Sequence, residues 1–309
     1  MKDKKNQTLE PRVSIVLLCY NQEKYILEAL GSIFKQEIPY AWELIIADDC
    51  SSDSTFDLIQ KWLENASVPV CYLPREENLG LGLNMERAIE ACTGEYIAVL
   101  EGDDYWQDSQ RIIKHVQLLD ANPEISFSFN THRLYYQENN RFESIQLFPE
   151  EQELIRFNVH QLIRDNVVRN VSSCVFRQFL ISKTKSFIFN FDPTDRFWGI
   201  FMAHYGEVIC INEEMTVYRI NLNGVWSRIS KEDQLRGQMK YSFFWDAYFN
   251  FQYQKDFSVY RLAIRLHSYR ESFMRLSFLF GKNLIRRVFY TKNLLKVADY
   301  AVMKLNLKF

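Results

Sequence analysis

The sequence predicts an α/β fold: an open, mostly parallel sheet with flanking helices, followed by a helical C-terminal appendage. Three observations predict it. Apolar strand-like runs alternate with amphipathic helical stretches through the first 130 residues. Three of those runs end in polar or acidic residues, Tyr20-Asn21, Asp48-Asp49 and Glu101-Gly102-Asp103-Asp104. From about Lys231 onward helical spacing dominates.

Taken in order, Val13–Cys19 is a continuous apolar, β-branched run and reads as a buried strand. Glu23–Gln36 places Tyr25, Ile26, Ala29, Leu30, Ile33 and Phe34 at helical spacing. Trp42–Ala47 reads as a strand, Ser54–Glu64 as a helix, Val68–Leu73 as a strand and Leu83–Ala91 as a helix. Tyr96–Leu100, Ser109–Leu119 and Ile125–Phe129 continue as strand, helix and strand. This rhythm implies parallel pairing with right-handed crossovers, and such sheets bind ligands beyond the carboxyl ends of their strands. Past Asn130 the rhythm breaks. Tyr135–Glu153 is polar and irregular; Val159–Arg164 and Asp195–Tyr205 read as helices, and Ser173–Phe176, Val208–Ile211 and Met215–Tyr218 as short strands. The domain reading is a flexible tail at 1–10, a catalytic domain at 11–230 and a helical, basic region at 231–309.

The chain has 309 residues and a formal net charge of −2, so bulk charge selects no partner. Its distribution is uneven. From Ser258 to the end, eleven Lys/Arg face only Glu271 and Asp299. The six cysteines lack metal-binding spacing and mostly sit in apolar segments, as buried free thiols do. The N-terminus, MKDKKNQTLEPR, has no apolar signal region, and no apolar run reaches the ~18 residues that span a bilayer. The expected location is cytoplasmic, or peripheral on the inner face of the membrane.

Glu101, Asp103 and Asp104 crowd three carboxylates at a strand end. Like charges this close raise one another's proton affinity, and a divalent cation resolves the conflict. Mg²⁺ and Mn²⁺ favour hard oxygen ligands and bridge carboxylates to phosphate. Gly102 would let a bulky anion approach the backbone. The bland alternative is a solvated acidic turn. Asp48 and Asp49 can accept hydrogen bonds from a base N–H or ribose hydroxyls. Asp53 suits the N-cap of the next helix.

The blocks VSIVLLCYNQEKYILEALGSIFKQ, WELIIADDCSSDST and GEYIAVLEGDDYW, in this order and at these distances, resemble the inverting family 2 glycosyltransferases with a GT-A, Rossmann-like fold. The resemblance covers roughly residues 11–228. It implies that Tyr20 and Asn21 lie beside the nucleoside, that Asp49 reads the base with Asp48 beside it, and that Asp103 and Asp104 bind metal and ribose. Glu101 stands where the family has the first Asp of its D-x-D. Met85-Glu86 replaces a frequent Arg-Asn pair, so no family role transfers there. The implied cofactor is Mn²⁺ or Mg²⁺, and the implied donor a UDP-sugar. The implied acceptor is a hydroxyl of a bacterial surface glycan or lipid-linked glycan.

Inverting transfer also needs a carboxylate to take the acceptor's proton. Asp195 opens a helical, aromatic-rich segment ahead of HYGEVICINEEMTVYR and GVWS, and by the resemblance it is the general base, with Asp192 as fallback. The plain alternative is an N-terminal helix acid favoured by the macrodipole. Arg219 could pair with the diphosphate or sit at a strand end. His132 and His204 have no metal-spacing partners, and the Asn170-Val171-Ser172 sequon carries no weight in a cytoplasmic protein. The basic amphipathic tail leaves peripheral membrane contact and protein packing equally open. No nucleic-acid motif accompanies its charge. Two other classes stay open. A sugar nucleotidyltransferase would carry a Gly-rich loop after its first strand, whereas this chain has Tyr20-Asn21-Gln22-Glu23-Lys24. A catalytically silent nucleotide-sugar-binding protein would lack metal-dependent hydrolysis.

Overall fold

The computed structural model describes residues 10–64, 66–73, 76–184, 189, 195–221, 224 and 228–280, and for 269–280 the backbone only. They fall into two compact units. One is drawn from Met1–Val159 and Val167–Asn221, the other from His160–Asn166 and Leu222–Phe309.

The first unit is a mixed α/β structure around one sheet. Strands β1 (Val13–Cys19), β2 (Trp42–Asp48), β3 (Val70–Leu73) and β4 (Tyr96–Glu101) pair in parallel in the order β3-β2-β1-β4. Between and after them lie α1 (Ile26–Phe34), α2 (Thr55–Leu63), α3 (Leu81–Glu90) and α4 (Arg111–Ala121). All seven residues of β1 are buried, as in a central strand covered on both faces. Val13, Ile15 and Leu17 form a core with Ile26, Leu30 and Ile33 of α1, Ile59 of α2, and Ile112 and Val116 of α4. α3 packs on β1 and β2 with Met85, Ala88 and Ile89 buried. Each such aliphatic side chain stabilises the fold by about 1.5–3 kcal/mol.

Beyond β4 the sheet continues as β9 (Cys174–Arg177), β6 (Ile125–Tyr136), β10 (Glu207–Ile220) and β5 (Tyr105–Trp106). β9 runs antiparallel to both β4 and β6, and β10 runs parallel to β6. The carboxyl ends of β1, β2, β4, β6 and β10 therefore share one sheet edge. β7 (Arg141–Ser144) closes a hairpin on β6, and β8 (Leu154–Phe157) lies against β10. α6 (Asp195–Ala203) packs on β6 and β10.

Several expectations are corrected here. Val208–Ile211 and Met215–Tyr218 are one strand, β10, whose register on β6 shifts between Ile211 and Glu214 and again before Thr216. The irregularity absorbs the polar Asn212-Glu213-Glu214 run that reads as a break. The irregular stretch from Tyr135 holds the end of β6 and all of β7. Of the cysteines, Cys71 is exposed and Cys50 half-buried, because their strand or turn lies at an edge; the other four are buried and all are free.

The second unit contains most of α5 (Val159–Arg164), α7 (Lys231–Tyr248) and α8 (Gln254–Phe280). His160 and Arg164 both reach the buried Asp256 of α8 at 2.6 Å. Arg261 of α8 meets Asp246 of α7 at 2.9 Å, both buried. Among the described residues, no helix is long and apolar enough to cross a membrane. Most of the basic tail lies outside the described residues, as do Asp192 and the Val225-Trp226-Ser227 segment.

Candidate active site

The turns leaving β1 and β2 are tied to each other. Tyr20 stands exposed at the end of β1. Asn21 adopts a left-handed backbone (φ 53°), which Asn tolerates better than most residues. Its Oδ1 accepts from Ser52 N at 2.7 Å, and its own amide donates to Ser51 Oγ at 2.9 Å. Asp48 is buried and accepts from Ser51 Oγ at 2.6 Å and Tyr72 OH at 3.0 Å. Asp49 is buried too, and its two oxygens accept the Leu79 and Gly80 amides at 3.0 and 2.8 Å where α3 begins. An ionised carboxylate offers about four acceptor positions, so Asp49 keeps capacity for a further donor while its orientation is fixed. Cys50, also left-handed (φ 64°), holds a strained conformation for a side-chain-bearing residue directly after this pair. The N-cap of α2 is Ser54, and Asp53 serves it from one residue earlier by accepting Thr55 N at 3.0 Å.

At the end of β4 the three acids differ sharply. Asp104 is 1% exposed and accepts three hydrogen bonds from protein. Its Oδ2 accepts from Asn170 Nδ2 at 2.9 Å and Ser172 Oγ at 2.7 Å, and its Oδ1 accepts the Arg219 amide at 2.9 Å. Asp103 accepts from Asn221 Nδ2 at 3.3 Å. The Glu101 carboxylate accepts no hydrogen bond from the described residues. Its proton affinity is raised well above the usual carboxylate range by burial, then by the Asp104, Asp103 and Asp195 charges. Burial also raises Asp103, against hydrogen bonds from Asn221 and Gln22 and the Arg219 charge. Burial and the Asp103 charge raise Asp104. Gly102 has a packing role of its own. A Cβ there would meet Cys19 Cβ at 3.1 Å and the Leu18 carbonyl oxygen at 3.2 Å. The missing side chain is needed to seat the turn on β1.

Asp195 opens α6, and its charge is felt at Glu101 of this cluster. The helix is anchored by Trp198, fully buried and stacked on Phe176 at 5.5 Å with 7° between planes, and by buried Phe197 and Phe201. Asp195 lies in the first turn of α6, and its charge acts on Glu101, Cys174 and Tyr218.

Arg219 is 5% exposed and its guanidinium is committed to protein partners. Nε donates to the Asp103 carbonyl at 2.7 Å, while the two terminal nitrogens donate to Gln137 and Glu28. The rings of Tyr25, Tyr135 and Tyr105 surround it at 4.6, 5.0 and 5.7 Å. The guanidinium thereby joins α1, β5, the β6–β7 turn and the acidic turn.

Sequence reasoning passed over a polar layer beneath the cluster. Arg111 is fully buried, lies over Trp106 at 4.4 Å, and donates to Asn130 Oδ1 at 2.9 Å and the Ser172 carbonyl at 3.2 Å. Burial lowers its pKa to about 9, against the Cys174 and Asp108 charges. His115 bridges Ser128 and Asn130 and is held neutral by burial and the Arg111 charge. Ser172 and Asn170 were legible only as a sequon. Glu28 and Gln22 sit at helical spacing like surface residues. His132 is buried edge-on to Tyr218, and half-buried His204 lies edge-on to Tyr205.

Among the described residues, no three His, Cys, Asp or Glu side chains are arranged to hold a metal ion by themselves. The donor chemistry fits a smaller role. Glu101 and Asp103 supply hard carboxylate oxygens whose raised proton affinity a divalent cation would relieve, whereas Asp104 has only one acceptor position left. Two carboxylates completed by phosphate oxygens is a common Mg²⁺ or Mn²⁺ arrangement.

Comparison with known proteins places this geometry. The family model described as Glycosyl transferase family 2 matches residues 14–184. An uncharacterized protein of Mycobacterium tuberculosis is 33% identical over 216 residues, covering 69% of this chain and 60% of that protein. The poly(ribitol-phosphate) beta-N-acetylglucosaminyltransferase TarS of Staphylococcus aureus is 33% identical over 95 residues, 30% of this chain and 16% of its own. The chain thus spans about 60% of the length of the mycobacterial relatives it matches. The TarS 1–349 crystal structure with UDP-GlcNAc has a TM-score of 0.57 at 19% identity, covering 75% of this chain and 65% of that one. The mannosyltransferase PcManGT of Pyrobaculum calidifontis, with GDP-Man and Mn²⁺, has a TM-score of 0.55 at 15% identity, covering 97% and 84%. At these identities the two structures share the fold.

Proposed function

The chain belongs to glycosyl transferase family 2, and from that membership we propose that it moves a sugar from a nucleoside diphosphate donor, a UDP-sugar, to an acceptor hydroxyl with inversion. The acceptor is a glycan or lipid-linked glycan of a bacterial surface polymer. The observation that carries this reading is the clustering of Glu101, Asp103 and Asp104 at the carboxyl end of β4, with Asp195 of α6 near enough for its charge to act on Glu101.

In this reading Tyr20 packs against the nucleoside, and Asn21 and Asp48 hold the two loops that frame it. Asp49, held by the Leu79 and Gly80 amides just before α3, accepts from the base. Asp103 and Glu101 would hold Mn²⁺ or Mg²⁺ against the diphosphate, where the cation neutralises the leaving group's charge. Asp104 fixes the turn rather than binding metal, and Arg219 fixes the Asp103 backbone rather than touching phosphate. The acceptor oxygen bonds to the anomeric carbon as the bond from that carbon to the diphosphate oxygen breaks. The hydroxyl proton passes to the Asp195 carboxylate, and nucleoside diphosphate departs. The catalytic domain is 11–230, and the basic region of 231–309 offers a peripheral membrane contact.

Thermal unfolding with a panel of nucleotide sugars tests the reading. A donor that binds only the folded chain raises Tm. UDP-sugars are expected to raise it with Mn²⁺ and not in EDTA. No stabilisation by any nucleotide sugar in either condition would overturn it.

A further inference from the structure

In the second unit, the helical hairpin of α7 and α8 turns its acids inward. From Gln234 to Arg265 the sequence holds two acids, Asp246 and Asp256. Both are buried and paired, Asp246 with Arg261 at 2.9 Å and Asp256 with His160 and Arg164 of α5 at 2.6 Å. The outer face of α8 keeps only cations and neutral residues. Lys255, Ser258, Leu262 and Arg265 recur at three- and four-residue steps and are exposed, while Phe257, Tyr260, Ala263 and Ile264 between them are buried. Leu262 is 48% exposed. At the foot of this helix, the turn from α7 places Asn250 and Phe251 in the left-handed region (φ 50° and 60°). Asparagine tolerates that conformation; a bulky aromatic residue rarely adopts it. The Phe251 amide holds the turn by donating to the Asp246 carbonyl at 2.8 Å, and the ring is left 58% exposed.

We propose that Phe251 and the outer face of α8 dock on an anionic lipid surface. The inference rests on the reading of 231–309 as a peripheral membrane contact and deepens it, naming the docking residues and the lipid chemistry. Charge complementarity selects the sign. Lys255 and Arg265 meet no acid on this face, and each cation near an anionic leaflet favours binding. The apolar side chains select lipid over other polyanions. Phe251 and Leu262 lose water-exposed surface at the boundary between headgroups and acyl chains, and gain nothing comparable along a nucleic-acid backbone. Strained backbone clusters at ligand-binding segments, and here it carries an exposed ring. The sequence beyond Arg265 keeps the same charge balance, nine Lys/Arg against Glu271 and Asp299.

The test is flotation of the full chain with vesicles of phosphatidylcholine alone and of phosphatidylcholine mixed with phosphatidylglycerol. The chain is expected to float with the mixed vesicles and not with phosphatidylcholine alone. Lys255→Glu combined with Arg265→Glu should weaken that binding at least about tenfold. Lys35→Glu combined with Lys61→Glu, the same change in net charge at exposed lysines of the first unit, should not. Phe251→Asn suits the left-handed backbone while removing the ring, and is expected to weaken binding several-fold with Tm unchanged or raised. No flotation with the mixed vesicles, equal flotation with both kinds, or unaltered binding by either the Lys255→Glu, Arg265→Glu variant or Phe251→Asn overturns the proposal. So does a chain that sediments as a dimer which Phe251→Asn dissociates, because the ring then faces a second copy. UDP affinity is expected to be unchanged in every variant. Absence of UDP binding in the unaltered chain counts against glycosyl transfer and not against the docking face.

Discussion

Ser172 Oγ donates to Asp104 Oδ2 at 2.7 Å across 68 residues of sequence, inside a fully buried contact. The same hydroxyl accepts the Glu101 amide at 3.0 Å. One serine therefore sets the backbone of the first acid and the carboxylate of the last, and divides the acidic turn between structural and chemical work. Asp104 faces inward to Asn170, Ser172 and Arg219, whereas Asp103 accepts only from the side chains of Asn221 and Gln22 among the described residues and Glu101 from none.

This division predicts opposite phenotypes for neighbouring acids. Asp104→Ala strands three buried donors and should lower unfolding free energy by about 2–4 kcal/mol in urea titrations. Asp103→Ala should change it by less than about 1 kcal/mol. Yet it should weaken Mn²⁺-dependent UDP binding at least about tenfold by calorimetry, the effect of one lost charge-assisted contact. The reverse pattern would place the ligand at Asp104.

Gly102→Ala puts a methyl against Cys19 Cβ and the Leu18 carbonyl, a contact that β1 must shift to admit. Overpacking of this kind costs about 1–3 kcal/mol. The melting temperature should fall, and UDP affinity with it, because the shift moves Asp103. An unchanged Tm would mean that the turn has room.

Arg219→Lys tests whether a charge alone suffices. Lysine keeps the cation but cannot reach the Asp103 carbonyl, Gln137 and Glu28 together while filling the space among Tyr25, Tyr105 and Tyr135. A loss of at least about 2 kcal/mol of stability is expected. Full stability and activity in the lysine variant would point to a simple ionic role.

His132 is buried with Nδ1 unpartnered, and burial, then the Arg169 charge, lowers its pKa to about 4. A depressed histidine stabilises the fold above its unfolded pKa of about 6.5 and loses that contribution as pH falls toward the folded value. Between pH 7 and pH 5 the loss is about 2 kcal/mol. His132→Phe should flatten the pH dependence of urea unfolding by that amount. Parallel curves for the two proteins would exclude the effect.

The first half of the sheet was readable because its signals are local. β1 is a seven-residue apolar run with polar residues beyond it, and its limits coincide with the reading. β5, two residues long, has no periodicity to read. β10 read as two strands because an irregularity hides a polar run inside it. The acids at the strand ends were visible for the same local reason. Their division of labour was not, because it depends on Asn170 and Ser172, 66 and 68 residues away, and on Glu28, 191 residues from Arg219. Nothing in the neighbourhood of a serine shows that it faces a buried carboxylate. Arg219 stayed open between a phosphate ligand and a strand-end residue because a strand-end arginine looks the same whether its partners are ligand or protein.

The most direct test is the rate of UDP release from a panel of UDP-sugars with Mn²⁺, with water as acceptor, for the unaltered chain and Asp195→Asn. The account predicts release from at least one sugar nucleotide. It also predicts a fall of about a hundredfold or more in the variant, with UDP affinity unchanged, as expected when a general base is removed. Equal release by the two proteins would contradict the assignment of Asp195, and release by neither would contradict glycosyl transfer from a UDP-sugar.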